Sequence, residues 1–188
     1  MRKIVIASDS FKGSISAAEV AACGERAVHR LFPDCEVVQL PVADGGEGTV
    51  ETLTAALGGQ SVATVVHDPL ERLITAQYGL ITKEKTAIIE MATASGLPLL
   101  QPEERNPWLT STYGTGELIR DALERGCRKF LIAIGGSATN DGGMGLLQAL
   151  GFRFLDAEGQ ELPGCGSSLS RIEQIDTSGA LTALKECL

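Results

Sequence analysis

Four stretches collect glycine, small hydroxyls and acids at points where apolar runs end: DSFKGS (residues 9–14), ADGGEGT (43–49), TSTYGTGE (110–117) and GGSATNDGG (135–143). Loops beyond the carboxyl ends of strands line the ligand crevice of open α/β folds. Glycine there lets backbone N–H groups approach an anion that a side chain would block. Ser10, Ser14, Gly45, Gly46, Thr115, Gly135, Gly136, Ser137 and Asn140 are therefore candidates to contact a nucleotide or substrate. Asp9, Asp44, Glu47 and Asp141 supply hard oxygen donors of the kind Mg²⁺ takes, and Lys12 offers a point charge for a phosphate or substrate carboxylate. Such a set suits phosphoryl transfer, which rests on positioning and charge neutralisation, with a carboxylate accepting the acceptor hydroxyl's proton. On this reading Asp9, Lys12, Asp44 and Asp141 are the catalytic candidates, with Glu47 and Asp141 as metal ligands. Each residue also has a plain structural alternative: a helix N-cap for the carboxylates, a turn position for the glycines, a solvated surface for Lys12. Neither the Walker A spacing nor GxGxxG is present.

The elements that must hold these loops follow from periodicity. Residues 3–8 read as a short buried strand, and from Ser16 the pattern turns helical, with Ser16 and Glu19 spaced as a capping box. Residues 35–40 form a second strand and 47–57 a second helix ended by Gly58-Gly59, giving the βαβα rhythm of a parallel sheet. Alternation over 61–82 predicts an antiparallel pair turning at Asp68-Pro69-Leu70-Glu71. A strand over 86–91, a proline-rich connector, a helix from about 116 to 125, a buried strand over 128–134 and a helix to about Leu150 complete the order. A hairpin signal at 156–159 follows. The fold class is α/β, and the change of sheet character after about residue 60 points to a second lobe.

Composition narrows the function. A formal charge of −8 without a basic cluster argues against a nucleic-acid surface, and the opening apolar run is too short for a signal-peptide core. No segment approaches a membrane span, so a cytoplasmic location is expected. The cysteines (Cys23, Cys35, Cys127, Cys165, Cys187) form no CxxC pair and suggest neither a disulfide framework nor a zinc knuckle. His29 and His67 read as structural, and Trp108 and Tyr113 as packing residues.

With DSFKGS at Asp9, PVADGGEGT at Pro41, TSTYGTGELI at Thr110 and IGGSATNDGGMG at Ile134, the sequence resembles the glycerate kinase family of bacterial glycerate catabolism. The motifs stand in the family's order over residues 1 to about 150. The resemblance implies a two-lobed α/β protein, a flavodoxin-like lobe over 1–65, incomplete here, and a second mixed α/β lobe over 66–188, in which ATP, with Mg²⁺, and a small hydroxy acid meet in a cleft, giving 2-phosphoglycerate from D-glycerate. It covers nearly the whole chain but about the first half of the family pattern, whose later portion returns to complete the first lobe. The incomplete lobe makes homo-oligomers or association through its uncovered surface an expectation. Two other functions fit the same loops: a catalytically silent ligand-binding module, and a metal-dependent phosphatase with Asp9 as nucleophile.

Overall fold

The computed structural model describes residues 3–11 and 13–188. Strand β1 (Lys3–Ile6) leads into helix α1 (Ala17–Leu31), which returns the chain to β2 (Glu36–Gln39), parallel to β1 with Lys3 opposite Glu36. The capping box forms: the Glu19 amide donates to Ser16 Oγ at 3.3 Å, and the Ser16 amide donates to Glu19 Oε2 at 2.9 Å. The Ser16 amide and the Ser16 hydroxyl both donate to the Glu19 carboxylate and hold it below its usual range. Helix α1 lies close to β1, since a Cβ on Gly24 would meet Ile6 Cδ1 at 2.8 Å.

This sheet has two strands, so the expected buried strand is corrected: β1 alternates exposed and half-buried residues, and Val5 is 55% exposed. The helix covers Ile6, and strand alternation turns Val5 to the other, uncovered face. Leu40 and Val42, just after β2, are exposed as well. The flavodoxin-like lobe is thus incomplete.

After helix α2 (Thr49–Ala56) the chain builds a four-stranded sheet from β3 (Gln60–His67), β4 (Leu73–Ile81), β5 (Thr86–Glu90) and β6 (Lys129–Ala133), in that order. β3–β4 and β4–β5 are antiparallel, whereas β5–β6 is parallel and joined through helix α4 (Tyr113–Glu124), with a short helix α3 (Ala92–Ser95) before it. The turn falls where expected. Asp68, buried, accepts from the amides of Leu70 and Arg72 and from Arg72 Nε at 2.6 Å. Leu118, Ile119, Ala122 and Leu123 form one stripe of α4 and pack on Val62, Val66, Ala76 and Tyr78 of the sheet. Each large apolar side chain fully buried there stabilises the fold by about 1.5–3 kcal/mol. Helix α5 (Met144–Ala149) crosses α4 where Gly116 leaves room, since a Cβ there would lie 2.3 Å from the Leu146 carbonyl.

Two features depart from expectation. Helix α4 starts at Tyr113, so Thr115 lies in its first turn and is buried. Strand β6 was expected to be buried, but Leu131, Ile132 and Ile134 are exposed because β6 is the last strand of its sheet. The chain closes with β7 (Arg153–Leu155) paired antiparallel to β8 (Gln174–Asp176). The tight turn at 156–159 leads back to an isolated bridge between Leu155 and Glu161.

Candidate functional site

Three adjoining cavities receive the loops. The first, about 750 Å³, is lined by Asp9, Ser10, Gly13 and Ser14 from the loop after β1 and by Glu47 and Gly48 at the entrance to α2. Tight turns shape this loop: the Ser14 amide donates to the Phe11 carbonyl at 2.8 Å, and the Ser10 amide to Asp9 Oδ1 at 2.7 Å. Ser10 Oγ and its neighbour Ser8 Oγ are buried without a hydrogen-bond partner among the described residues. A hydroxyl left in that state costs about 1–3 kcal/mol, which a polar, oxygen-rich occupant relieves. Lys12, expected here, lies outside the described residues.

The second cavity, about 680 Å³, takes Asp44, Gly45, Gly46 and Glu47 from the loop before α2, Gly135 and Gly136 from the loop after β6, and Glu90. Glu47 therefore lines both cavities. The two glycine loops touch. The Gly135 amide donates to the Gly45 carbonyl at 3.1 Å, and a Cβ on Gly135 would lie 2.8 Å from Gly46 Cα. Only glycine permits that approach. Asp44 Oδ1 accepts from the Gly46 amide at 2.9 Å, which sets the turn.

Glu90 is the residue that the sequence reading missed. It ends the apolar strand β5 and is 6% exposed. Burial pushes its carboxyl up from the usual range and the Glu47 charge adds to the rise, against the amides of Val50, Gly48 and Thr49, which stabilise the anion. An acid closing the run TAIIE at a strand's carboxyl end was the available signal. A raised folded value means that this contribution to stability is fully present below the ordinary glutamate range and is lost as pH rises through the folded value. Glu90→Gln keeps an acceptor for the amides and removes the charge. Its melting temperature should therefore exceed the parent's by a margin that widens from about pH 5 to about pH 8. Thermal melts at both values check this, and a constant margin would contradict it.

The third cavity, about 270 Å³, is lined by Thr112 and Thr115 of α4 and by Asn140, Asp141, Gly142 and Gly143. Asp141 is 1% exposed and heavily engaged. Its Oδ2 accepts from the Thr112 amide at 2.8 Å, Thr112 Oγ1 at 2.7 Å and the Gly145 amide at 3.1 Å, while Oδ1 accepts from the Gly143 amide at 3.1 Å. It ties the start of α4 to the start of α5. Thr115 Oγ1 is bonded to Ser95 Oγ at 2.7 Å inside the core. Ser137 Oγ accepts from the Thr139 amide at 3.0 Å and so shapes its own loop.

Among the described residues, no three or more Asp, Glu, His or Cys side chains gather as a metal cage. Mg²⁺ commonly uses one or two carboxylates with phosphate oxygens and water, and exposed Asp44 and Glu47 suit that role. Asp141 lines a different cavity from Glu47. The histidines are tied into the framework: His29 Nε2 lies 3.1 Å from the Cys35 carbonyl, and His67 Nδ1 lies 3.0 Å from Glu117 Oε2. Tyr113 meets the His67 ring edge-on at 5.6 Å, and Trp108 is exposed.

The mixed α/β protein brings two glycine loops together beyond its strand ends, an arrangement of the kind that can offer backbone N–H groups to an anion. The family model for the Glycerate kinase family matches residues 4–188, and the chain belongs to that family, corresponding to its N-terminal portion. It is 50% identical to glycerate 2-kinase of Escherichia coli K12 over 186 residues, 99% of this chain and 49% of the relative. It is also 50% identical to glycerate kinase of Bacillus subtilis 168 over 183 residues, covering 97% and 48%. A solved chain assigned as glycerate kinase 2 from Salmonella typhimurium LT2 superposes with a TM-score of 0.88 at 48% identity, over 99% of this chain and 50% of that one. The chain thus spans about half the length of these relatives.

Proposed function

We propose that this chain carries the N-terminal half of an ATP-dependent glycerate kinase, which transfers the γ-phosphoryl group of ATP to a hydroxyl of D-glycerate to give 2-phosphoglycerate. The observation that carries the proposal is the direct contact of Gly135 with Gly45 and Gly46, which brings two loops with bare backbone to one cavity. Ser10 Oγ, buried at the adjoining cavity with no partner among the described residues, adds a polar group suited to a substrate oxygen. Family membership names the chemistry that such loops serve.

In this proposal Ser10, Ser14, Gly45, Gly46, Gly135 and Gly136 hold phosphate and substrate oxygens, and Asn140 lies at the edge of the third cavity. Asp44 and Glu47 hold Mg²⁺, which neutralises phosphate charge when bound. Asp9, which lines the first cavity, is the candidate to accept the substrate hydroxyl's proton, and Lys12 pairs with an anionic group. Asp141, Thr115 and Ser137 act by positioning the loops, as their hydrogen bonds support. Asp141 therefore moves from the metal set to the framework. A division of the chain near residue 65 into two lobes is part of the same proposal, supported by the change from the β1–β2 sheet to the four-stranded sheet. A cytoplasmic site of action is proposed too. Among the described residues, no helix is long and apolar enough to cross a membrane.

ATP should bind a family-length protein carrying this sequence at least about tenfold more tightly with Mg²⁺ than without, because a polyanion approaching an acidic surface needs its charge offset. Calorimetric titration under both conditions measures this. Equal affinities would count against the proposal.

A further inference from the structure

The residues FLIAI, 130–134, have the composition of an interior strand and the position of an edge. Parallel strands covered on both faces read as near-continuous apolar runs, whereas natural edge strands carry charge, proline or a bulge that blocks further pairing. β6 carries Lys129 at its start and then none of these. Leu131 and Ile132, neighbours that alternate between faces, are both exposed, and Ile134 is 75% exposed.

The backbone gives the direction of what belongs there. The Lys129 amide donates to Lys85, and the Ala133 carbonyl accepts from Met91, so the odd-numbered residues of β6 point their polar groups towards β5. The even-numbered ones point outward. At the start of the strand this outer side is already used: the Leu188 amide donates to the Arg128 carbonyl at 2.9 Å, and the Phe130 amide donates to the Leu188 carbonyl at 3.0 Å. One residue bonding to both neighbours of Lys129 is the signature of a parallel bridge. Arg128 Nε also donates to Glu186 Oε2 at 3.0 Å and fixes the approach of this segment.

We infer that the outer edge of β6 is a docking site for a parallel strand, entered at Leu188 opposite Lys129 and carried by the half of the family-length chain that this chain does not span. About five further residues, one for each position from Phe130 to Ile134, complete it. Those residues are apolar on both faces. They cover Leu131 and Ile132 and make β6 the interior strand that its sequence describes. This inference rests on family membership and on backbone geometry, and it is independent of the reaction catalysed.

Hydrogen exchange resolved by residue tests it. The 188-residue chain is compared with the same chain extended by the remaining portion of the Escherichia coli relative. In the shorter protein the amides of Leu131 and Ala133 should be protected by β5, while those of Ile132 and Ile134 exchange freely. In the extended protein Ile132 and Ile134 should slow by about 100-fold or more. Ile134→Glu, at an exposed position, should leave the melting temperature of the shorter protein unchanged and reduce the protection gained by the extended one. Fast exchange at Ile132 and Ile134 in the extended protein would overturn the inference. So would concentration-dependent protection of the same amides in the shorter protein, which would assign the edge to a second copy of the chain.

Discussion

Asp141→Asn should lower stability by about 2–4 kcal/mol, because a buried carboxylate that accepts four hydrogen bonds is replaced by a group with an acceptor on one side only. The geometry leaves the amide no good orientation. If its oxygen takes the place of Oδ2, where Thr112 and Gly145 donate, its NH₂ faces the Gly143 amide; if it is flipped, the NH₂ meets three donors. In a protein of this size the loss corresponds to about 5–15 °C in melting temperature. Thr112→Val should cost less and should be non-additive with Asp141→Asn, since Thr112 Oγ1 donates to Asp141 and accepts from the Leu146 amide at 2.9 Å. Chemical denaturation of the two single variants and the double variant measures both effects. A stability of Asp141→Asn within about 0.5 kcal/mol of the parent would refute the framework role.

The framework role proposed for Asp141 differs from what residue type alone suggests, and the reason is physical. Sequence identifies an acid in a glycine-rich loop, which is a fair description of both a ligand-binding carboxylate and a helix-start acceptor. Three-dimensional placement separates them: Asp141 faces donors from two helices and Asp44 faces its own turn. Local signals read well for the same reason that this one does not. The Ser16–Glu19 capping box and the turn at Asp68-Pro69 depend on residues close in sequence, and both formed as expected. The antiparallel pair β3–β4 and the order of strands and helices were legible from alternation and apolar runs.

Features that depend on distant contacts were not legible. The start of α4 moved forward to Tyr113 because Asp141 accepts from the Thr112 amide, a partner 29 residues away. Glu90 escaped notice because its significance comes from the amides at the start of α2 and the charge on Glu47. β1 and β6 looked buried because their sequences are those of interior strands, and exposure reflects the absence of covering elements among the described residues.

The same exposure leads to the second large effect. Phosphoryl transfer requires donor and acceptor to be held in line, and small misplacement costs about 100-fold in rate. The glycine loops that meet at Gly45 and Gly135 hang between the two-stranded sheet and β6, and both present uncovered apolar residues. The framework that must fix these loops against a substrate is therefore incomplete in the 188-residue chain. The decisive measurement is the rate of phosphoryl transfer from ATP to D-glycerate in the presence of Mg²⁺, for this chain and for the chain extended by the remaining portion of the Escherichia coli relative. The extended protein should form phosphoglycerate and depend on glycerate, with the 188-residue chain slower by about 100-fold or more. Comparable turnover by the two proteins, or phosphate release that needs no glycerate, would contradict the account.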